Sequence, residues 1–215
     1  MKQTIMRTSA ILTILVLLIS TGESQMRSHK FGVGVGGSYY LLQSDYTTSK
    51  PSIGGGVELS YSMMEYLSVR SSLGVAFLQA KNAAGPSLST ALISGNLYLA
   101  ADFSPNGTFN PFVFVGGSGV YFDARTGDGV ALTGVGVKRL KGALVGGIGF
   151  DLFASEFLSF TLSGEMALPY TDYLDGIAAG TKKDSYQRIS LGIRYYFFDQ
   201  DFITKLLKAL EERYK

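Results

Sequence analysis

From residue 31 onward, apolar and polar positions alternate with a period of two in eight blocks, 31–41, 52–62, 66–78, 91–103, 112–123, 143–153, 157–168 and 186–198. A strand turns successive side chains to opposite faces, whereas a helix would repeat near 3.6 residues, so the pattern predicts an all-β protein. In the first block Phe31, Val33, Val35, Tyr39 and Leu41 oppose Gly32, Gly34, Gly36 and Ser38; in the eighth Ile189, Leu191, Ile193, Tyr195 and Phe197 oppose Arg188, Ser190, Gly192, Arg194 and Tyr196. The fifth block has no settled phase, because Phe112, Phe114 and Val120 compete with Val113, Val115 and Tyr121.

Alternation alone fits a soluble sandwich or a ligand-holding barrel equally well, so the polar face decides between them. A face turned to water would carry many lysines and glutamates. Here it is mostly Gly, Ser, Thr and Ala, and beyond residue 30 every lysine falls in a connection or in the C-terminal tail. Seven ionisable residues of the blocks, Glu58, Arg70, Asp102, Asp151, Glu165, Arg188 and Arg194, lie opposite the apolar face and have mixed signs. A narrow, packed lumen behind a lipid-facing wall requires this arrangement, and these seven residues are the candidate charge network that fills it.

Connection lengths point the same way. The stretches 42–51, 79–90, 124–142 and 169–185 alternate with the short 63–65, 104–111 and 154–156. Membrane barrels have short periplasmic turns and long outer loops, so an even strand number puts both termini in the periplasm. Aromatics gather near block ends, with Tyr39, Tyr40, Phe77, Phe122, Tyr170 and Tyr186 toward the outer rim. Tyr61, Tyr66, Phe103, Phe112, Phe157 and Phe197 lie toward the inner one, as two interfacial girdles would.

The N-terminus supplies an address. Lys2 and Arg7 precede an apolar run over 10–19, followed by Ser20, Thr21, Gly22, Glu23 and Ser24. Ten helical residues rise only ~15 Å against a ~30 Å hydrocarbon core, so residues 1–24 read as a cleaved signal peptide rather than an anchor. The tail 199–215 changes period, with Phe202, Leu206, Leu207, Leu210 and Tyr214 on one side of a short C-terminal helix. The reading is thus a signal peptide (1–24), a barrel domain (25–198) and a periplasmic helical tail (199–215).

Composition narrows the chemistry. Net charge is only +2, which gives no footprint for nucleic acid. The absence of cysteine removes disulfides, thiolate ligands and a lipid-attachment residue. Glycine at 27 residues beside 13 tyrosines and 14 phenylalanines suits closely packed strands rather than a disordered chain. The run Gly32-Val33-Gly34-Val35-Gly36-Gly37 lies inside an alternating strand, not between a strand and a helix, so it is no phosphate cradle.

Across 31–198 the chain resembles the small OmpA-type and OmpX-type outer-membrane β-barrels. The most specific match is Ser190-Leu191-Gly192-Ile193-Arg194-Tyr195-Tyr196-Phe197, which resembles the last-strand signal read by the barrel-insertion machinery. Carried over, the signal residues are Ser190, Gly192, Tyr195 and Phe197, although here a further tail follows the terminal aromatics. The resemblance implies an eight-stranded antiparallel up-and-down transmembrane β-barrel in the outer membrane of a Gram-negative cell. Its partners would be membrane lipids, lipopolysaccharide and, during biogenesis, the insertion machinery.

No catalytic, cofactor or metal site is expected. The one histidine, His29, precedes the first block and so sits at the periplasmic end. Outer-membrane lipid A acylases and deacylases, by their family pattern, use a histidine and a serine near the outer rim. The expectation is a monomeric, non-enzymatic scaffold that displays loops for envelope integrity or surface interaction, with Lys138, Arg139 and Lys141 of the third long connection available to anionic lipopolysaccharide. Two other readings stay open, a small porin or gated channel, and an accessory barrel of a secretion or assembly system.

Overall fold

The period-two pattern becomes a closed wall of strands. The computed structural model describes residues 30–43, 48–81, 87–126, 130–131, 139–171, 174, 184–197 and 212. The proposed signal peptide, His29, Lys138 and all of the proposed helical tail except the exposed, helical Glu212 lie outside the described residues. The strands are β1 (Phe31–Gln43), β2 (Thr48–Lys50), β3 (Ser52–Met64), β4 (Leu67–Lys81), β5 (Ser87–Asp102), β6 (Phe109–Thr126), β7 (Leu140–Phe153), β8 (Leu158–Pro169) and β9 (Ser185–Phe197). β2 is a short segment added to the edge of β4; the other eight pair antiparallel with their neighbours, and β9 pairs with β1 to close the barrel.

The register fixes the shape. From Phe31 the partners run through Tyr61, Val69, Leu99, Val115, Gly146, Met166 and Gln187 and return to β1 at Leu41, ten residues farther along. A stagger of ten residues at ~3.3 Å each, over eight strands ~4.8 Å apart, tilts the strands by roughly 40° from the barrel axis. The resulting bore is just wide enough to be filled by side chains.

The apolar face points out. Ile53 is 80% exposed, Ile148 67% and Leu191 64%, within a continuous belt of Val, Leu, Ile and Phe around the wall. An exposed apolar surface that encircles a protein is stable only against lipid. β6 resolves the undecided phase of its block: Phe112, Phe114, Val120 and Phe122 face the lumen, while Val113, Val115 and Tyr121 face out. The aromatic girdles are correspondingly sparser than expected. Tyr40, Phe112, Phe122 and Tyr186 are buried in the lumen, whereas Tyr39, Phe77 and Tyr170 remain outward at the rim that carries the long connections, as do Tyr66, Phe103 and Phe157 at the rim of the short turns. Tyr40 takes up space left by Gly54 and Gly74, and Phe112 space left by Gly149, which a strand pattern does not encode.

The connections also differ on one side. β4 and β5 continue pairing to Lys81 and Ser87, so the expected connection 79–90 shrinks to 82–86. β2 occupies part of another expected connection. These extensions are polar strand above the apolar belt, where water replaces lipid and the alternation that revealed the other strands has no reason to persist.

Candidate functional site

The seven residues of the candidate charge network all project into the lumen, where they form two polar layers. The inner layer joins β3, β4, β5, β7 and β9. Arg70 Nη2 lies 2.9 Å from Asp102 Oδ1 and 3.1 Å from Asp151 Oδ2. Arg194 places Nη1 3.0 Å from Asp151 Oδ2 and Nη2 2.6 Å from Glu58 Oε1. Neutral donors complete the carboxylates: Ser68 and Asn110 donate to Asp102 at 2.7 and 2.9 Å, and Thr161 donates to Asp151 at 2.6 Å. The Arg70 guanidinium also stacks over the Phe112 ring, 3.7 Å from its centroid, which adds a cation–π contact.

The second layer lies farther out. Arg188 Nη2 donates to Glu165 Oε2 and, at 3.0 Å, to the Tyr98 hydroxyl, which itself donates to Glu165 Oε2 at 3.1 Å. Ser72 and Asn96 extend it along β4 and β5, with Asn96 Nδ2 donating to Ser72 Oγ at 2.9 Å and that oxygen 3.1 Å from the Tyr98 hydroxyl. The structure thus joins Glu58, Arg70, Asp102, Asp151 and Arg194 in one chain of contacts and pairs Glu165 with Arg188 in another. Three guanidiniums face four carboxylates, and Asp151, Arg194 and Arg70 are almost completely buried.

Glycines make room for these large groups. A Cβ at Gly149 would meet the Phe112 ring at 2.6 Å, and one at Gly147 would meet Phe114 Cζ at 2.6 Å, so both rings reach close to the β7 backbone. Gly32 leaves room for the Arg194 stem. Between the layers a cavity of about 70 Å³ is bounded by Gly34, Gly36, Gly56, Tyr98, Thr161 and Ser163, among others. Its lining mixes these polar groups with apolar ones such as Phe112 and Phe114, and it is large enough for a few waters, no more.

Beyond the second layer the lumen turns apolar. Tyr40, Leu42, Leu78, Leu92, Val120, Phe122 and Tyr186 are fully buried there. Leu174, from the connection before β9, completes this seal: its backbone N–H donates to Asp184 Oδ2 at 2.7 Å, and its carbonyl accepts from Thr90 Oγ1 at 3.0 Å. Alternation within the block 91–103 puts Tyr98 opposite Leu97 and Leu99 but names no partner for it, and no pattern marks Leu174, whose role depends on where a connection folds back. Among the described residues, no group of three or more His, Cys, Asp or Glu side chains could hold a metal ion.

The proposed last-strand signal lies along the closing seam. Ser190 and Gly192 face the lumen; Ser190 Oγ is 2.8 Å from Ser38 Oγ, and Gly192 pairs with Gly36. Tyr195 and Phe197 face outward, their ring centroids 6.1 Å apart, and Tyr195 also stacks on Phe157.

No family model and no curated protein matches the sequence. Solved structures do. Neisserial surface protein A aligns over 78% of this chain and 97% of its own at 15% identity, with a TM-score of 0.56. This is the fold of the small eight-stranded outer-membrane β-barrels. OprG from Pseudomonas aeruginosa matches over 82% of this chain and 99% of its own at 14% identity, TM-score 0.54. Ail, the attachment invasion locus protein of Yersinia pestis, matches over 79% and 99% at 13% identity, TM-score 0.52, and has also been solved with the heparin analogue sucrose octasulfate. Such identities establish a shared architecture and nothing more.

Proposed function

We propose that this protein is a closed, non-enzymatic barrel of the Gram-negative outer membrane that holds its outer connections as a platform for envelope integrity or surface interaction. The observation that carries this reading is the filled bore: two polar layers and an apolar seal follow one another along the lumen, with only a small cavity between the polar layers. The apolar belt supports a membrane location, and a signal peptide at 1–24 would bring the chain to the periplasm. The short turns and both termini then face the periplasm, and the long connections face the medium, as topology requires of an exported even-stranded barrel. The Ser190–Gly192–Tyr195–Phe197 pattern is the segment offered to the insertion machinery. Ail's complex with a sulfated heparin analogue offers a precedent for polyanion binding on this fold.

Two measurements test the proposal. The mature protein from the outer-membrane fraction should migrate differently on a gel before and after boiling, since a closed barrel resists detergent until heated. Refolded into a planar bilayer, it should leave conductance at background. Discrete conductance steps from the wild-type protein would favour a pore, and recovery as a soluble protein without a heat-induced shift would overturn the membrane assignment.

A further inference from the structure

A cationic cluster stands just above the apolar belt on strand β6 and the residue that precedes β7, outside the lumen and unconnected to its network. Asp123 projects from β6 two residues beyond the outward-facing Tyr121. It holds Arg125, whose Nε and Nη2 both lie 2.9 Å from Oδ2, and Arg139, whose Nη1 lies 3.2 Å from Oδ1. The Arg139 carbonyl accepts from the Phe122 N–H at 3.1 Å, which ties this stretch of backbone to β6. The Asp123 side chain is 13% exposed, but Arg125 and Arg139 are 56% and 39% exposed. Exposed ion pairs of this kind add little to stability, so the cluster is not explained as a fold-holding device.

Its geometry suits an anion. Two guanidiniums gathered on one carboxylate leave one unit of positive charge in excess. Their shared partner holds them close enough for a single phosphate, with its several oxygens, to reach both. Each guanidinium offers a planar fork that matches phosphate oxygens. The like charge of Asp123 opposes an incoming anion, but it already faces two cations.

What lies beneath selects the kind of anion. Ile93, Tyr121 and Leu140 form one register row of exposed apolar residues, and the next row toward the membrane centre is Gly95, Gly119 and Gly142. Gly117 lies one row below. A Cβ built at Gly117 or Gly119 meets nothing within 4 Å, so no packing inside the protein accounts for these glycines. The Tyr170 ring, 3.4 Å from a Cβ at Gly142, borders the depression on one side. A cationic rim is therefore continuous with a backbone-floored hollow in the lipid-facing wall.

We propose that Arg125 and Arg139, positioned by Asp123, bind the phosphate headgroup of an outer-leaflet glycolipid whose acyl chain lies along Gly119 and Gly117. The inference rests on the long connections facing outward, as proposed above, and it names the lipid chemistry that this face recognises.

The test uses the full mature chain in detergent, with native mass spectrometry reading retained lipid. The probes are lipid A bearing both phosphates and the same lipid after dephosphorylation. Wild-type protein should retain the phosphorylated form about tenfold better, and Arg125→Gln with Arg139→Gln should erase that preference. Gly119→Leu should reduce retention of both lipids. Equal retention of the two lipids by wild type, or an unchanged preference in the double variant, overturns the site. Complete displacement by millimolar inorganic phosphate overturns the assignment to a lipid. Gel mobility before and after boiling is read on the same samples, and surface labelling of the long connections is read on intact cells. Loss of the heat-induced shift or of labelling in wild type would strike the proposed function, whereas lost selectivity in a heat-modifiable, surface-labelled barrel strikes this inference alone.

Discussion

Arg70 on β4 reaches across the lumen to Asp151 on β7, placing Nη2 3.1 Å from Oδ2, and Asp151 also accepts from Arg194 on β9. One carboxylate therefore ties together three strands that are not sequential neighbours in the wall. The contacts lie deep in the bore, shielded from bulk solvent.

Removing Asp151 should be costly for that reason. Asp151→Ala leaves two buried guanidiniums short of a counter-charge, a class of lesion that destabilises by about 3–5 kcal/mol. Arg70→Ala and Arg194→Ala belong to the same class. Arg125→Ala, at the exposed rim, should cost no more than about 1 kcal/mol. Urea unfolding of the refolded barrels, followed by gel mobility, provides the comparison. Indistinguishable midpoints for lumen and rim variants would rule out a stabilising network.

Two adjacent glycines should behave oppositely. Gly116 faces the lumen, where a Cβ would run into the Leu97 carbonyl and lie 2.8 Å from Tyr98 Cα, both backbone atoms that cannot step aside. Gly117 faces out and has open space. Gly116→Ala should lose about 1–3 kcal/mol through overpacking, whereas Gly117→Ala should be neutral or gain up to about 1 kcal/mol by reducing backbone freedom in the unfolded chain. The same urea series measures both, and matching losses would mean that the inward and outward faces of β6 are misassigned.

Closure should be redundant. The apolar seal of Tyr40, Phe122 and Tyr186 and the inner layer around Arg70 and Phe112 block the bore at separate levels. Replacing the three seal aromatics by alanine should therefore leave bilayer conductance at background, and discrete steps should appear only when both polar layers are opened as well, by Arg70→Ser together with Arg188→Ser. Steps from the seal variant alone would show that the inner layer does not block ions.

The seam between first and last strands should separate folding from delivery. A side chain at Gly36 would strike the Leu191 carbonyl at 2.6 Å and Gly192 Cα at 2.9 Å, so Gly36→Val should prevent closure both in cells and on refolding into detergent. Tyr195→Ala with Phe197→Ala removes only outward rings. This variant should refold in detergent yet reach the outer membrane several-fold more slowly in a pulse-chase experiment. Normal delivery would argue against these aromatics as an insertion signal.

Most of the wall was legible in the sequence because lipid imposes a strict rule on it. Every second residue of a membrane-spanning strand must be apolar, so the outward set from Val35 to Ile193 and the inward set from Glu58 to Arg194 could be separated by counting in twos. The mixed signs of the seven inward charges also foreshadowed pairing, since unpaired charge is not stable in a narrow bore. The rest depended on geometry that alternation does not carry. A ten-residue stagger decides which inward residues share a level, and so why Asp151 meets Arg70 and Arg194 while Glu165 meets Arg188. Small partners decide which aromatics turn inward: Phe112 and Phe114 are apolar enough for either face, and Gly149 and Gly147 on the neighbouring strand are what admit them to the lumen. Leu174 lies in a connection with no periodic pattern at all, and only the folded chain brings it over the mouth that the strands leave open.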